Sequence, residues 1–139
     1  MTIPQLTIFI ENSSGTLSMV LDQMKRSNIQ MIACTIADTA EYGIFRIICT
    51  EPRRACDELK EAGIAVALSN VFALELDNHP GGAADVVKVI SDAGIDIAYM
   101  YAFLLDGKGI LVFRTDDEVK ACETIAARNL GHLTEKDLG

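Results

Sequence analysis

Apolar residues recur along this chain in two rhythms, and the same succession of rhythms runs twice. Leu6, Ile8 and Ile10 recur at every second position, as in a half-buried strand, with Phe9 among them. Leu17, Val20, Leu21 and Met24 follow at the i, i+3, i+4, i+7 spacing of one helix face. Sixty-six residues on, the run Val71, Phe72, Leu74, Leu76 leads into Ala83, Val86, Val87 and Ile90 at the same helical spacing. The same shift superimposes Asn12 on Asn78, Gly15 on Gly81, Ile29 on Ile95, Gly43-Ile44 on Gly109-Ile110 and Ala55-Cys56 on Ala121-Cys122. The chain is therefore an internal duplication before it is anything else.

The first copy predicts a strand at 5–11, a helix at 15–27, strands at 29–38 and 43–50, a helix from Pro52 to about 62, and a strand at 64–68. Pro52 suits the first turn of its helix. The second copy predicts a strand at 71–77, a helix at 82–93, strands at 95–104 and 109–115, a helix at 117–129 and a short strand over Gly131–Thr134. Ala40-Glu41-Tyr42-Gly43 and Asp106-Gly107-Lys108-Gly109 are the expected hairpin turns. The order is βαββαβ twice. The expected fold class is α+β, two ferredoxin-like repeats over 1–69 and 70–139, each an antiparallel sheet with its helices on one face. Only Ser69-Asn70 separates the copies.

A first hairpin turning at 40–43 would oppose Ile36 to Ile47 and Cys34 to Cys49 on the face that the helices cover, together with Ile32 and Phe45. Cys34, Cys49, Cys56 and Cys122 are then expected as core thiols. The opposite face carries Met31, Ala33, Thr35 and Ala37 beside Ile44 and Ile48 in copy one. In copy two it carries Ile97, Tyr99, Tyr101 and Phe103 beside Ile110 and Val112. A sheet apolar on its uncovered side needs a cover, either the sister repeat or a second chain, so an obligate pair of repeats in a two-fold homodimer is expected.

Composition narrows the function classes. Half of the 139 residues are hydrophobic and charged residues make up 23%, as in a globular chain. A net charge of −8 removes the clustered Lys and Arg that a nucleic acid or an anionic membrane would require. The opening Ile3-Pro4-Gln5-Leu6 has no signal-peptide pattern, and no apolar run reaches the roughly 18 residues of a membrane span, so the expected compartment is the cytosol. The cysteines show neither C-x-x-C nor zinc spacing with His79 and His132, and no metal or cofactor is expected.

The candidate chemistry lies in two loops. Glu11-Asn12-Ser13-Ser14-Gly15-Thr16 and Asp77-Asn78-His79-Pro80-Gly81-Gly82 each follow a strand and lead into a helix. Such a loop leaves backbone N–H groups free at the positive end of the helix dipole, which suits a carboxylate or a phosphate. The same residues can also be plain turn formers and helix caps.

The second loop, the helix with Val86 and Val87, and Ala93-Gly94-Ile95 before the next strand resemble the ACT domain. The first copy keeps Asn12 and Gly15, with Ser14 where the second has Pro80. The resemblance spans essentially the whole chain as a tandem and leaves no catalytic domain over. It implies an allosteric sensor that binds a small ligand, usually an amino acid, where two such domains meet. There the loop backbone of one domain holds the ligand against the strand after the first helix of its neighbour. Carried over, the loop positions are Asn12, Ser13, Ser14, Gly15, Thr16 and Leu17, and Asn78, His79, Pro80, Gly81, Gly82 and Ala83. The facing strand positions are Met31, Ile32 and Ala33, and Ile97, Ala98 and Tyr99.

Three function classes follow. The first is a non-catalytic amino-acid-binding regulator whose state is read by an enzyme partner in trans. The second is a structural or protein-interaction subunit whose loops bind nothing. The third, a small-molecule enzyme, is disfavoured because no nucleophile, base and orienting group converge in the sequence.

Overall fold

Each helical stripe becomes a helix: α1 (Ser14–Arg26), α2 (Pro52–Glu61), α3 (Gly82–Asp92) and α4 (Glu118–Ala127). The alternating runs become β1 (Ile3–Glu11), β2 (Met31–Asp38), β3 (Tyr42–Cys49), β4 (Val66–Leu76), β5 (Tyr99–Leu105) and β6 (Lys108–Arg114), and a 3-10 turn, Glu135–Leu138, follows them. The computed structural model describes residues 1–11, 14–38 and 42–138, so Ala40 and Glu41 of the first expected turn lie outside the described residues. The fold is the expected α+β arrangement of two βαββαβ-like units.

Packing divides the chain into Pro4–Asn70 with Glu135–Gly139, and Val71–Thr134 with Met1–Ile3. In the first unit the antiparallel order is β2-β3-β1, and the chain leading into β4 lies along β1, where Phe9 N–H donates to the Ala65 carbonyl at 2.9 Å. In the second the order is β4-β6-β5. On the other side of β4, Glu75 N–H donates to the Gly131 carbonyl at 2.8 Å and Leu133 N–H to the Ala73 carbonyl at 2.9 Å. These are the remains of the expected last strand, which shortens to a single bridge between Leu74 and His132. The strands expected at 64–68 and 71–77 are one strand, because Ser69-Asn70 contains no residue that breaks an extended chain and Ser69 Oγ bonds Thr7 Oγ1 at 2.8 Å.

The duplication extends to individual hydrogen bonds. Ile29 N–H to the Met24 carbonyl is repeated by Ile95 to Ile90, Ile64 to Leu59 by Leu130 to Ile125, and Phe9 to Ala65 by Glu75 to Gly131, always sixty-six residues apart. Each helix ends on a left-handed residue, Asn28 (φ 55) matching Gly94 (φ 78) and Gly63 (φ 83) matching Asn129 (φ 52). The next residue, Ile29, Ile64 or Ile95, turns back into the core, the usual companion of such a cap.

The core of the first unit joins Leu6 and Ile8 of β1 and Phe45, Ile47 and Cys49 of β3 to Val20 and Met24 of α1 and Cys56 and Leu59 of α2. That of the second joins Phe72, Leu74, Leu111 and Phe113 to Val86, Ile90, Ala121 and Ile125. Neither described core contains a residue of β2 or β5, the strands furthest from β4 in their units, and this corrects two expectations. Cys34 is exposed and Ile36 is 51% exposed, although both fall on the helix side, since the helix-side core gathers residues of β1 and β3 and none of the edge strand β2. The register is also displaced by two residues: Cys34 opposes Ile47, Ile36 opposes Phe45, and Cys49 opposes Met31 beyond an irregularity in β2. The displacement follows the second hairpin, where Asp106 (φ 51) and Gly107 (φ 80) form a two-residue turn whose twist matches the strands. The Cys34–Cys49 pair therefore does not exist. Cys122 is half-buried, and only Cys49 and Cys56 are buried thiols.

Burial pushes the Cys49 thiol up to about 12, which leaves it roughly a thousandfold less thiolate than an ordinary cysteine at neutral pH. Brief alkylation of folded protein with iodoacetamide, read by mass spectrometry, is expected to label Cys34 and to spare Cys49 and Cys56. Prompt labelling of Cys49 would refute its place in the core.

On the other face, Tyr101 opposes Val112 and Phe103 opposes Ile110, as expected. Ile97 does not join them: β5 begins only at Tyr99, the preceding residues are irregular, and Ile97 packs against the helix-side core.

Candidate functional site

The second strand-to-helix loop is built by its prolines and glycines. His79-Pro80-Gly81-Gly82 is closed by Gly82 N–H donating to the His79 carbonyl at 3.1 Å, and Gly81 has φ 91 and ψ −2. Proline second and a left-handed glycine third are the residues that a type II turn requires. Gly82 is needed for a different reason: a Cβ there would lie 2.5 Å from the Asp77 carbonyl oxygen. Gly81 then accepts the Asp85 N–H at 3.0 Å and α3 begins with no side chain capping it. With the Gly82 N–H held by the turn, the next first-turn N–H groups, at Ala83 and Ala84, are flanked by the smallest side chains available.

The electrostatics of this loop are mixed. His79 is exposed, its Nδ1 lies 2.9 Å from the Pro80 carbonyl, and its Nε2 lies 3.7 Å from Asp77. That hydrogen bond, followed by the charges of Asp77 and Asp85, raises the imidazole above its usual value of 6.5. A raised value in the folded state means that the protonated ring favours the folded loop. The contribution is complete below pH 6.5 and fades as pH rises through the higher folded value. Asp85→Asn should lower the His79 value in an NMR titration at low salt; an unchanged titration would remove Asp85 as a cause.

The first loop differs from the second. Asn12 and Ser13 lie outside the described residues, Ser14 already belongs to α1, and Gly15 is helical with open space around its Cα. Thr16 and Leu17 sit in the first turn of α1. The matched glycines, Gly15 and Gly81, thus have different conformations. Only the second loop has a left-handed glycine at that position.

Of the strand positions, Met31 is exposed, Ile32 half-buried and Ala33 buried, while Ala98 is exposed and Tyr99 half-buried. Ala98 donates its N–H to the Arg114 carbonyl at 2.8 Å. Within one unit, loop and strand positions do not meet. Leu76, before the second loop, opposes Gly109, whereas Tyr99 opposes Arg114 at the far end of β6. Five residues of strand separate them, about 17 Å. In the first unit Glu11 opposes Tyr42 and Ala33 opposes Ile48, again at opposite ends of β3.

The structure adds a cavity that sequence reasoning missed. It is about 280 Å3, lies in the first unit beside the first loop, and is bounded by Phe9 and Glu11 of β1, Thr16 and Met19 of α1, and the segment Gly63-Ile64-Ala65. The Phe9 ring meets Tyr42 edge to face, with centroids 6.2 Å apart. The signal was present: Phe9 is an apolar residue between the inward-facing Ile8 and Ile10, where alternation calls for a polar one. A larger cleft, about 540 Å3 between the end of α1 and α2, is polar and lined by Arg26, Arg54, Glu58 and Glu61, of which Arg54 binds Glu58 at 3.2 Å. Among the described residues no group of three His, Cys, Asp or Glu could hold a metal ion, and no helix is long and apolar enough to cross a membrane.

The family described as the ACT domain pair matches residues 1–139. Among solved structures, protein BT0572 from Bacteroides thetaiotaomicron is similar at 34% identity, over 99% of this chain and 96% of that one, with a TM-score of 0.92. The regulatory subunit of aspartate kinase from Thermus thermophilus, in a ligand-free form, shares 12% identity over 89% of this chain and 91% of that one, with a TM-score of 0.61. Its counterpart from Thermus flavus shares 12% identity over 89% and 90%, with a TM-score of 0.57. At such identity these two likenesses establish the fold alone. No curated protein matches the sequence.

Proposed function

This chain belongs to the ACT domain pair family, and from that membership we propose that it is a non-catalytic regulatory protein that binds a free amino acid through its strand-to-helix loops. The observation that carries the proposal is the opening of α3. A left-handed Gly81, a Gly82 without room for a side chain, and no side-chain cap leave backbone N–H groups at a helix N-terminus for a carboxylate. The family match over residues 1–139 supports a regulatory role.

On this reading the repeats are 1–69 and 70–139, the protein is a cytosolic homodimer, and a partner enzyme reads the ligand-bound state in trans. The fold is shared with two proteins named as regulatory subunits of aspartate kinase, which supports regulation in trans. Self-association is supported by β5, an edge strand of seven residues without a charge, in which Met100 is 51% and Leu104 76% exposed. Coupling requires that the ligand favour one arrangement of the protein over another.

A thermal-shift screen against the twenty amino acids tests the proposal. A ligand at about 100 times its Kd should stabilise the protein by roughly 2.7 kcal/mol, several degrees for a chain of this size. A saturable shift with one amino acid, confirmed by calorimetry, is the expected result. No shift in a folded, dimeric protein would instead favour an interaction subunit that has lost ligand binding.

A further inference from the structure

We propose that the first repeat alone carries a small-molecule cleft, formed within the repeat beside its loop, that takes a molecule with an ammonium group and an apolar arm. The identification of that molecule as an amino acid rests on the function proposed above; the cleft does not.

Because the strand registers and the hydrogen bonds that end the helices recur sixty-six residues apart, the two repeats can be compared position by position outside their loops. Phe9 and Tyr42 form their edge-to-face pair while 45% and 42% exposed. The matched positions in the second repeat are Glu75 and Lys108, an ion pair at 3.7 Å. Met19, also 45% exposed, is matched by Asp85. One backbone lattice thus carries three charges in one repeat and three exposed apolar side chains in the other. Solvent explains the charges. Placing two aromatic rings and a thioether at three neighbouring wet positions exposes apolar surface with no folding benefit, and such clusters mark binding sites.

The cavity adds the second observation. In the first repeat, open space of about 280 Å3 lies between Phe9, Met19 and Ile64. In the second, the Glu75 carboxylate lies over the matched strand position: a Cβ on Gly131, the counterpart of Ala65, would lie 2.7 Å from Glu75 Oε2. The volume falls just below the roughly 300 Å3 at which pockets begin to hold drug-sized ligands, which suits a molecule of amino-acid size. Its lining states the chemistry. Phe9, Met19 and Ile64 offer apolar contact, Glu11 puts a carboxylate at the mouth for an ammonium group, and the first turn of α1 at Thr16 offers a dipole end to a carboxylate where the ligand has one.

The test is an amide NMR titration of the whole protein with L-phenylalanine, L-leucine, L-methionine and, as an amine lacking the carboxylate, phenethylamine. At least one probe is expected to shift Glu11, Thr16, Gly63 and Ala65 saturably, and to leave their counterparts Asp77, Gly82, Asn129 and Gly131 in place. The double variant Phe9→Glu/Tyr42→Lys, which installs the pair that the second repeat already accommodates, should fold and bind that probe at least tenfold more weakly. Amino-acid shifts confined to the second loop would overturn the cleft and leave the sensor function standing. Shifts at the cleft with phenethylamine and no amino acid would support the cleft and overturn the amino-acid identity. No shift with any probe overturns the cleft, as does a double variant of unchanged affinity. A fall in its mass by sedimentation would assign the rings to contact between copies and overturn the cleft too.

Discussion

Phe113→Ala should cost about 3–5 kcal/mol, a large part of the 5–15 kcal/mol that holds a typical domain together. The ring is fully buried and stacks on Phe72, with centroids 5.2 Å apart and planes 20° from parallel. It is the residue where β4, β6 and the helix layer meet, opposing Phe72 on one side and Met100 on the other while packing in the cluster of Val86, Ile90, Ala121 and Ile125. Truncation removes the transfer free energy of the ring and leaves a hole that rigid neighbours fill only in part. A further ~0.5–1.5 kcal/mol goes with the aromatic pair. Urea unfolding is the measurement: the midpoint should fall with the slope unchanged. Val119→Ala, at a side chain 71% exposed on α4, is the internal comparison and should move the midpoint little. A loss below about 1 kcal/mol for Phe113→Ala would mean that this core can collapse around the gap.

Gly82→Val should be the most damaging change in the second loop, destabilising by about 1–3 kcal/mol, of the order of about 5–10 °C in Tm. The added Cβ would lie 2.5 Å from a backbone oxygen, that of Asp77, which no rotamer change relieves. To make room the turn must open, and the Gly82 N–H to His79 carbonyl bond opens with it. Gly81 restricts substitution in another way: there is space for a Cβ, but φ 91 is a conformation that side-chain-bearing residues avoid. Gly15→Ala is the contrasting change. With no positive φ and nothing within 4 Å of the added Cβ, it should be neutral or raise Tm slightly through helix propensity. If Gly82→Val melts with the wild type, the loop closure described here is wrong. The same variant separates the loops functionally: a ligand in the first-repeat cleft should still bind, whereas one held at the start of α3 should not.

What the sequence determined by itself is whatever periodicity and spacing can encode. The sixty-six-residue repeat, the four helices, the α+β class, the Asp106-Gly107 region of the second hairpin and the apolar Tyr101–Val112 and Phe103–Ile110 face all follow from local patterns. In those patterns each side chain faces the core or away from it within its own element. What the tertiary structure decided is which elements end up where. Cys34 and Ile36 have an inward pattern but lie on an edge strand that adds no residue to the helix-side core, so alternation alone mispredicted their burial. Register depends on which two residues turn, and a displacement of two preserves every face while changing every partner, so the Cys34–Cys49 pairing was invisible to pattern reasoning. The fusion of two expected strands into β4 and the different conformations of Gly15 and Gly81 are of the same kind. The contrast between Phe9–Tyr42 and Glu75–Lys108 could be read from the aligned repeats. Only the fold revealed that Phe9 of the aromatic pair borders an open cavity while the Glu75 carboxylate lies over Gly131, because the space left between elements depends on how they pack.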